Sequence, residues 1–341
     1  MNNIIHLKQQ DRIGWIGLGE MGYSMANNLQ RYLASLHLNM TVWNRDPTKS
    51  ARMHHHGARV AKSIEDLVAQ SNIIFTSLAN DAAVEEIYVQ LIDLASQVDH
   101  SIIFVETSTI YPALATQLSK QISAYPRHTY LQCPVFGRPP VAKAAKLIWV
   151  TSGDEKAIKK MCLYFTTMSK SIIHLKTPDV AKACNFKLIG NFFVAGTIEL
   201  LAEGLTLAEK SNVNQESVLK FIETFMPAPV WLEYSRKMVD GAVLHKDAGF
   251  SIELGLKDVG HMRQLAHDSG ASLPTADLVH RHLKSVQDKG LGDQDWSSMI
   301  NSLRDASELP SIVEKQPYVS EKDSPLGGES VDVKASTLKE E

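Results

Sequence analysis

The sequence predicts an α/β domain built on a doubly wound, mostly parallel sheet, followed by an all-helical domain. Three observations carry this reading. Up to about Lys176, short β-branched runs alternate with amphipathic stretches, the pattern of βαβ units. After Thr177 such runs stop, and residues 180–212 contain no proline and read as one helix about 50 Å long at 1.5 Å per residue. Thr177-Pro178 marks the joint, which divides the chain into residues 1–177, 178–305 and a tail, 306–341.

In chain order, the expected strands are 12–16, 40–43, 72–77, 101–105, 129–135, 147–151 and 171–175, each a short run rich in Ile, Val, Thr or aromatic residues. A helix is expected over 25–33. Asp46-Pro47 places an N-cap before a proline at the first helical position, and Gly57 can end that helix. Ser63, with Asp66 three residues on, makes a capping-box pattern. Helical periodicity follows residues 180–212 to about Arg304. There is no internal repeat.

With 341 residues, 44% of them hydrophobic, the chain can bury two cores. Its formal charge is −3, and the tail accounts for it. Residues 306–341 hold eight carboxylates against four lysines, which leaves +1 for residues 1–305. The tail is expected to be disordered and solubilising. A near-neutral folded part argues against nucleic-acid binding, which needs a basic face. No run approaches about 20 consecutive apolar residues, so no membrane span is expected, and the first eleven residues carry no apolar signal segment. Cys133, Cys162 and Cys184 lack metal-ligand spacing and suit a reducing, cytoplasmic setting. His54, His55 and His56 are consecutive helical residues that point in different directions, so no metal site is expected.

Gly17-Leu18-Gly19-Glu20-Met21-Gly22 is a G-x-G-x-x-G loop directly after a strand and before a helix. Gly17 permits the tight turn, Gly19 lets backbone N–H groups reach a pyrophosphate, and Gly22 lets helix and strand approach closely. The expected ligand is a dinucleotide. Sites preferring NAD usually end the second strand with Asp or Glu for the ribose 2′-OH, whereas this strand ends Val42-Trp43-Asn44-Arg45. A guanidinium there pairs with a 2′-phosphate, which points to NADP(H); NAD is the alternative, with Asp46 receiving the ribose.

Four segments in order, from about Arg12 to Arg304, resemble the β-hydroxyacid dehydrogenase family, which includes 3-hydroxyisobutyrate dehydrogenase and glyoxylate/succinic semialdehyde reductase. They are the loop from Gly17 to Leu29; Glu106-Thr107-Ser108-Thr109-Ile110-Tyr111-Pro112, similar to D-x-S-T-I-x-P; Lys187-Leu188-Ile189-Gly190-Asn191, similar to K-x-x-N-N; and Phe250 with Lys257-Asp258, similar to F-x6-K-D. The resemblance implies a Rossmann-type domain, of the 6-phosphogluconate dehydrogenase NADP-binding type, and a helical substrate domain. It implies cofactor contacts from Gly17, Leu18, Gly19, Met21, Gly22, Asn44, Arg45, Leu78, Ala79, Thr109 and Lys257. Phe250 would be an apolar wall and Asp258 would reach the substrate region. Homodimers or homotetramers formed through the long helix are implied as well, and Gly190, Gly196 and Gly204 would allow close helix approach there or serve packing within the chain.

Lys187 and Asn191 are i and i+4 and share one helix face with largely apolar neighbours. Reducing a carbonyl needs a proton donor for its oxygen, and a lysine in an apolar site can have its pKa lowered toward working pH. Lys187 is the expected general acid/base, and Asn191 would bond the substrate or orient the lysine. One departure matters. Where the family has P-V-S-G-G, this chain has Pro134-Val135-Phe136-Gly137-Arg138. Phe136 removes a hydroxyl, and Arg138 adds a cation able to clamp a carboxylate or phosphate.

The expected activity is NADP-dependent interconversion of a small aldehyde or keto acid and its hydroxy acid, in the reducing direction because NADPH pools favour it. Two alternatives are an imine reductase, whose relatives typically lack the lysine, and a silent NADP-binding interaction module.

Overall fold

The computed structural model describes residues 11–244 and 249–312. From residue 313 on, the expected tail lies outside them. The chain opens with β1 (Ile13–Ile16), α1 (Glu20–Ala34), β2 (Thr41–Trp43), α2 (Pro47–His54), β3 (Arg59–Val60), α3 (Ile64–Gln70) and β4 (Ile73–Thr76). It continues through α4 (Asp81–Ser96), β5 (Ile103–Glu106), α5 (Pro112–Ser123), β6 (Thr129–Gln132), β7 (Val135–Phe136), α6 (Pro139–Lys143), β8 (Leu147–Gly153), α7 (Glu155–Thr166) and β9 (Ser169–His174).

The sheet order is β3-β2-β1-β4-β5-β6-β8-β7, with β9 on the other side of β8. Strands β1 to β6 pair in parallel, whereas β8 runs antiparallel to β6 and β7. Strand order reverses between β1 and β4, which opens a crevice at their carboxyl ends. Trp15 stacks on Phe75 at 4.9 Å and Trp149 on Phe165 at 4.5 Å, joining the middle of the sheet to α7.

Local signals act largely as read. Asp46 accepts from Thr48 N–H (2.9 Å), Pro47 opens α2, and Gly57 follows its end at φ +86°. Ser63 accepts from Asp66 N–H, but the short Asp66 side chain reaches back to Lys62 N–H, so the capping box is not reciprocal at Ser63. The run expected over 129–135 is split. Pro134 has no N–H for a ladder, so Cys133 N–H still reaches Glu106 O (2.7 Å) while Pro134 O accepts from Val150 N–H (2.9 Å), and the chain steps from one neighbour to another. Strand β3 is two residues long and carries no pattern to read.

The helical part holds α8 (Ala181–Lys210), α9 (Gln215–Phe225), α10 (Pro229–Asp240), α11 (Ile252–Ser269), α12 (Pro274–Gln287) and α13 (Ile300–Ala306). By length and composition α8 could cross a membrane, with mean hydropathy 1.4. Here it is a core helix: Leu188, Ala195, Ile198, Leu201 and Leu205 are buried against residues of α10, α11 and α12. The face bearing Ile189, Phe193, Leu200 and Leu207 remains exposed.

Candidate active site

A cleft of 1280 Å³ runs between the sheet's carboxyl edge and the helical domain. Its first wall is the glycine loop. A Cβ at Gly17 (φ +95°) would lie 2.1 Å from Ser77 O, and one at Gly22 would lie 2.2 Å from Gly17 O, so neither position admits a side chain. Beyond Gly19 there is open space. Helix α1 starts without a side-chain cap, and its first-turn residues Glu20, Met21 and Gly22 line the cleft. Uncapped amides at a positive helix end are a fit for a pyrophosphate. Leu18 departs from expectation: its side chain is in the core and its N–H donates to Asn44 Oδ1 (2.8 Å). Asn44 also donates to Asp46 O and so clamps the two loops together. Arg45 is exposed, 3.9 Å from Glu86, and lines the cleft together with Lys49.

Glu106 organises the middle of the cleft, a role its sequence position did not reveal. Its buried carboxylate accepts from Ser108 N–H (2.5 Å) and Thr76 Oγ1 (2.7 Å). Ser108 Oγ in turn accepts from Leu78 N–H (2.7 Å). The loops after β4 and β5, with Leu78, Ala79 and Thr109 lining the cleft, are thereby tied to one anchor. Burial pushes the Glu106 pKa up to about 7, against the hydrogen bonds that favour its charge.

The helical domain supplies the opposite wall. Lys187 is 9% exposed, and its Nζ donates to Asn191 Oδ1 (3.0 Å). Asn191 Nδ2 donates to Asp258 Oδ2 (2.6 Å), and Asp258 Oδ1 lies 3.0 Å from Lys257 Nζ. Lys257 crosses to the other domain and donates to Thr109 O (2.6 Å). Because a carboxylate only accepts, Asp258 fixes which way the Asn191 amide points. Burial lowers the Lys187 pKa to about 8; Asp258 opposes this and Lys257 reinforces it. Among the described residues no cluster of His, Cys, Asp or Glu could hold a metal.

Two of the expected substrate groups behave differently from the reading above. Arg138 is not a free clamp: its guanidinium pairs with Glu233 and lies 5.4 Å from the Tyr234 ring centroid. Phe136 places its ring 4.2 Å from Lys187 Nζ, a cation–π contact. That ring occupies the space a side chain at 190 would need, since a Cβ on Gly190 would lie 2.3 Å from Phe136 Cζ. Departing from the family motifs, Phe136 stands where a Ser is usual and Gly190 where the first Asn is usual. In space the two form one exchange, so Gly190 serves packing within the chain. Gly137 and Phe250 line the cleft as expected, joined by Tyr234 and Trp296, which no sequence motif marked.

A glycine-loop cradle facing a buried, hydrogen-bonded lysine defines an oxidoreductase of the NAD(P)-dependent class. Comparison with known proteins agrees. Residues 12–176 match the NAD-binding domain of 6-phosphogluconate dehydrogenase, and residues 181–303 match the NAD-binding domain of NADP-dependent 3-hydroxyisobutyrate dehydrogenase. The chain is 28% identical over 295 residues to the NADH-dependent oxidoreductase ucdB of Aspergillus ustus, covering 85% of this chain and 98% of that one. It is 29% identical over 298 residues to the mitochondrial 3-hydroxyisobutyrate dehydrogenase of Drosophila melanogaster, covering 86% and 89%. The structure of Mycobacterium tuberculosis 3-hydroxyisobutyrate dehydrogenase with L-serine superimposes with a TM-score of 0.73 at 24% identity, covering 86% of this chain and 99% of that one. The chain belongs to the β-hydroxyacid dehydrogenase family, whose members are NAD(P)-dependent hydroxy acid dehydrogenases and reductases.

The Phe136–Gly190 exchange is testable. Gly190→Ala should cost about 1–3 kcal/mol in urea unfolding, the usual range for overpacking. In a Phe136→Ala background the same change should cost much less; additive losses would contradict the packing assigned here.

Proposed function

We propose that the protein reduces a small aldehyde or keto acid to its hydroxy acid with NADPH, and that Lys187 is the general acid, or the base in the reverse direction. The observation that carries this is the buried Lys187–Asn191–Asp258 chain facing the glycine-loop cradle across one cleft. A bound nicotinamide supplies the hydride. Lys187 gives a proton from Nζ to the oxygen that becomes the alcohol. Asn191, with its amide nitrogen committed to Asp258, orients the ammonium rather than the substrate. Phe136 and the apolar neighbours exclude water and keep the ammonium readily deprotonated. A silent binding module would have no use for a lysine kept buried at this cost, and imine reductases typically lack it.

Arg45 supports NADPH over NADH, because it stands at the end of β2 where no carboxylate is available before Asp46. The exposed face of α8 supports a homo-oligomer. Ile189, Phe193, Leu200 and Leu207 are each more than half exposed, and Gly204 leaves that face open to a second helix, whereas Gly196 faces Thr275 of the same chain.

Four outcomes are expected. Turnover in the reducing direction should fall as pH rises through about 8, because the donor must be protonated, and oxidation of the hydroxy acid should rise over the same range. Lys187→Ala should lose about 10²-fold or more in kcat with NADPH affinity intact; a loss under tenfold would exclude the role. Arg45→Ala should erase most of the ratio of NADPH to NADH affinity, measured by fluorescence titration, and an unchanged ratio would sink the assignment. Phe193→Glu should leave helicity intact and yield monomers in sedimentation velocity, whereas an unchanged sedimentation coefficient would move the interface elsewhere.

A further inference from the structure

Most cations at the substrate end of the cleft have a partner. Arg138 pairs with Glu233, Lys187 donates to Asn191, and Lys257 is held by Asp258 and Thr109. Two lysines lining the same cleft, Lys146 and Lys170, have no acidic or hydrogen-bonding side-chain partner among the described residues.

Their placement on the sheet is specific. Leu147 pairs with Ser169 and Ile148 with Ser171, so Lys170 is the extra residue of a bulge in β9. A bulge leaves its residue out of the ladder and re-aims the side chain. Lys146 follows Ala145, which holds φ +55°, a region non-glycine residues seldom enter. The turn is held by Ala145 N–H to Ala142 O and Lys146 N–H to Val141 O, both 3.0 Å. A positive-φ turn just before β8 and a bulge in the adjacent strand β9 therefore place Lys146 and Lys170 at one end of the cleft that both line. Ile148, paired with Phe136, lines the cleft between them and the lysine chain. Lys146 lies two residues before Ile148, about 7 Å along the strand at 3.4 Å per residue.

We propose that Lys146 and Lys170 form the subsite for the substrate's anionic group. This rests on the reading of Lys187 as the reacting centre. Phe136 fills the space beside Lys187, so the carbonyl reacts there while a carboxylate or phosphate is held beyond the ring. The substrate class is an ω-oxo acid or a phosphorylated carbonyl, with several bonds between carbonyl and anion, and not an α-keto acid whose two groups are adjacent. Lys146 and Lys170 are both exposed at the cleft's edge, so recognition is by charge and is weakened by salt.

The test compares wild type with the Lys146→Gln/Lys170→Gln double variant, which keeps both side-chain stems. NADPH oxidation is followed with succinic semialdehyde against its uncharged analogue butanal, and with glyceraldehyde 3-phosphate against glyceraldehyde. The double variant should raise KM for the preferred anionic substrate tenfold or more, with kcat within twofold and the uncharged analogue unaffected. Whichever anionic substrate shows this split names the anion as carboxylate or phosphate. Equal changes for charged and uncharged partners, or no change, would overturn the subsite. If wild-type protein binds NADPH yet oxidises it with no carbonyl, the proposed reaction fails instead. The subsite is then judged by calorimetric binding of succinate and of inorganic phosphate to the NADP⁺ complex: tenfold weakening of either in the double variant supports it, and equal or absent binding refutes it.

Discussion

Everything in the cleft depends on keeping one ammonium group, that of Lys187, out of water. A lysine moved from its ordinary pKa of 10.5 to about 8 carries a cost of about 3 kcal/mol while protonated, at 1.36 kcal/mol per unit. That cost is present below pH 8 and is relieved as pH rises toward 10.5, where the unfolded chain would also lose its proton. It would be larger without partners. Asn191 takes one N–H, the Phe136 ring offers its negative face, and Asp258 places a charge one residue farther back. The carboxylate is close enough to hold the proton on and far enough away not to form a direct salt bridge with the lysine.

The same chain of contacts joins the two domains. Asp258 is shared between Asn191 on α8 and Lys257 on its own helix, and Lys257 ends on Thr109 O at the sheet's edge. Beside it, Tyr111 donates to Asp268, while Asp81 accepts from Tyr111 N–H and lies 3.4 Å from His261. Burial, with Asp268 beside it, pushes the Tyr111 pKa up to about 12, so this hydroxyl remains a donor throughout the range in which Lys187 titrates. Helix α11 is therefore fixed to the nucleotide-type domain at several points along its length, which sets the position of Lys187 relative to the glycine loop.

Features set by local sequence were legible. The glycine loop, the cap at Asp46 and the i, i+4 pair of Lys187 and Asn191 depend on residues within one turn of each other, and periodicity is enough to find them. Features set by distant pairing were not. Arg138 reads as a free cation until Glu233, far along the chain, is placed beside it. Gly190 reads as a helix-contact glycine until Phe136 fills the space above it. Leu18 sits inside the motif, yet its side chain is buried in the core and its N–H is taken up by Asn44, a residue beyond the next strand. Glu106 looks like an ordinary strand-end acid, and only burial together with Thr76 and Ser108 makes it the anchor of two loops. The bulge that aims Lys170 arises from the register of β8 and β9, which no composition reveals.

The central claim is that Lys187 is buried, singly hydrogen-bonded and poised near neutrality. The most direct measurement is an NMR titration of the side-chain nitrogen in ¹⁵N-lysine-labelled protein, with the Lys187 resonance assigned by its loss in Lys187→Arg. The account predicts a midpoint near 8 in the wild type and a lower one in Asp258→Asn, since that carboxylate favours the charged form. A midpoint at 10.5 or above, or one indifferent to Asp258, would contradict it.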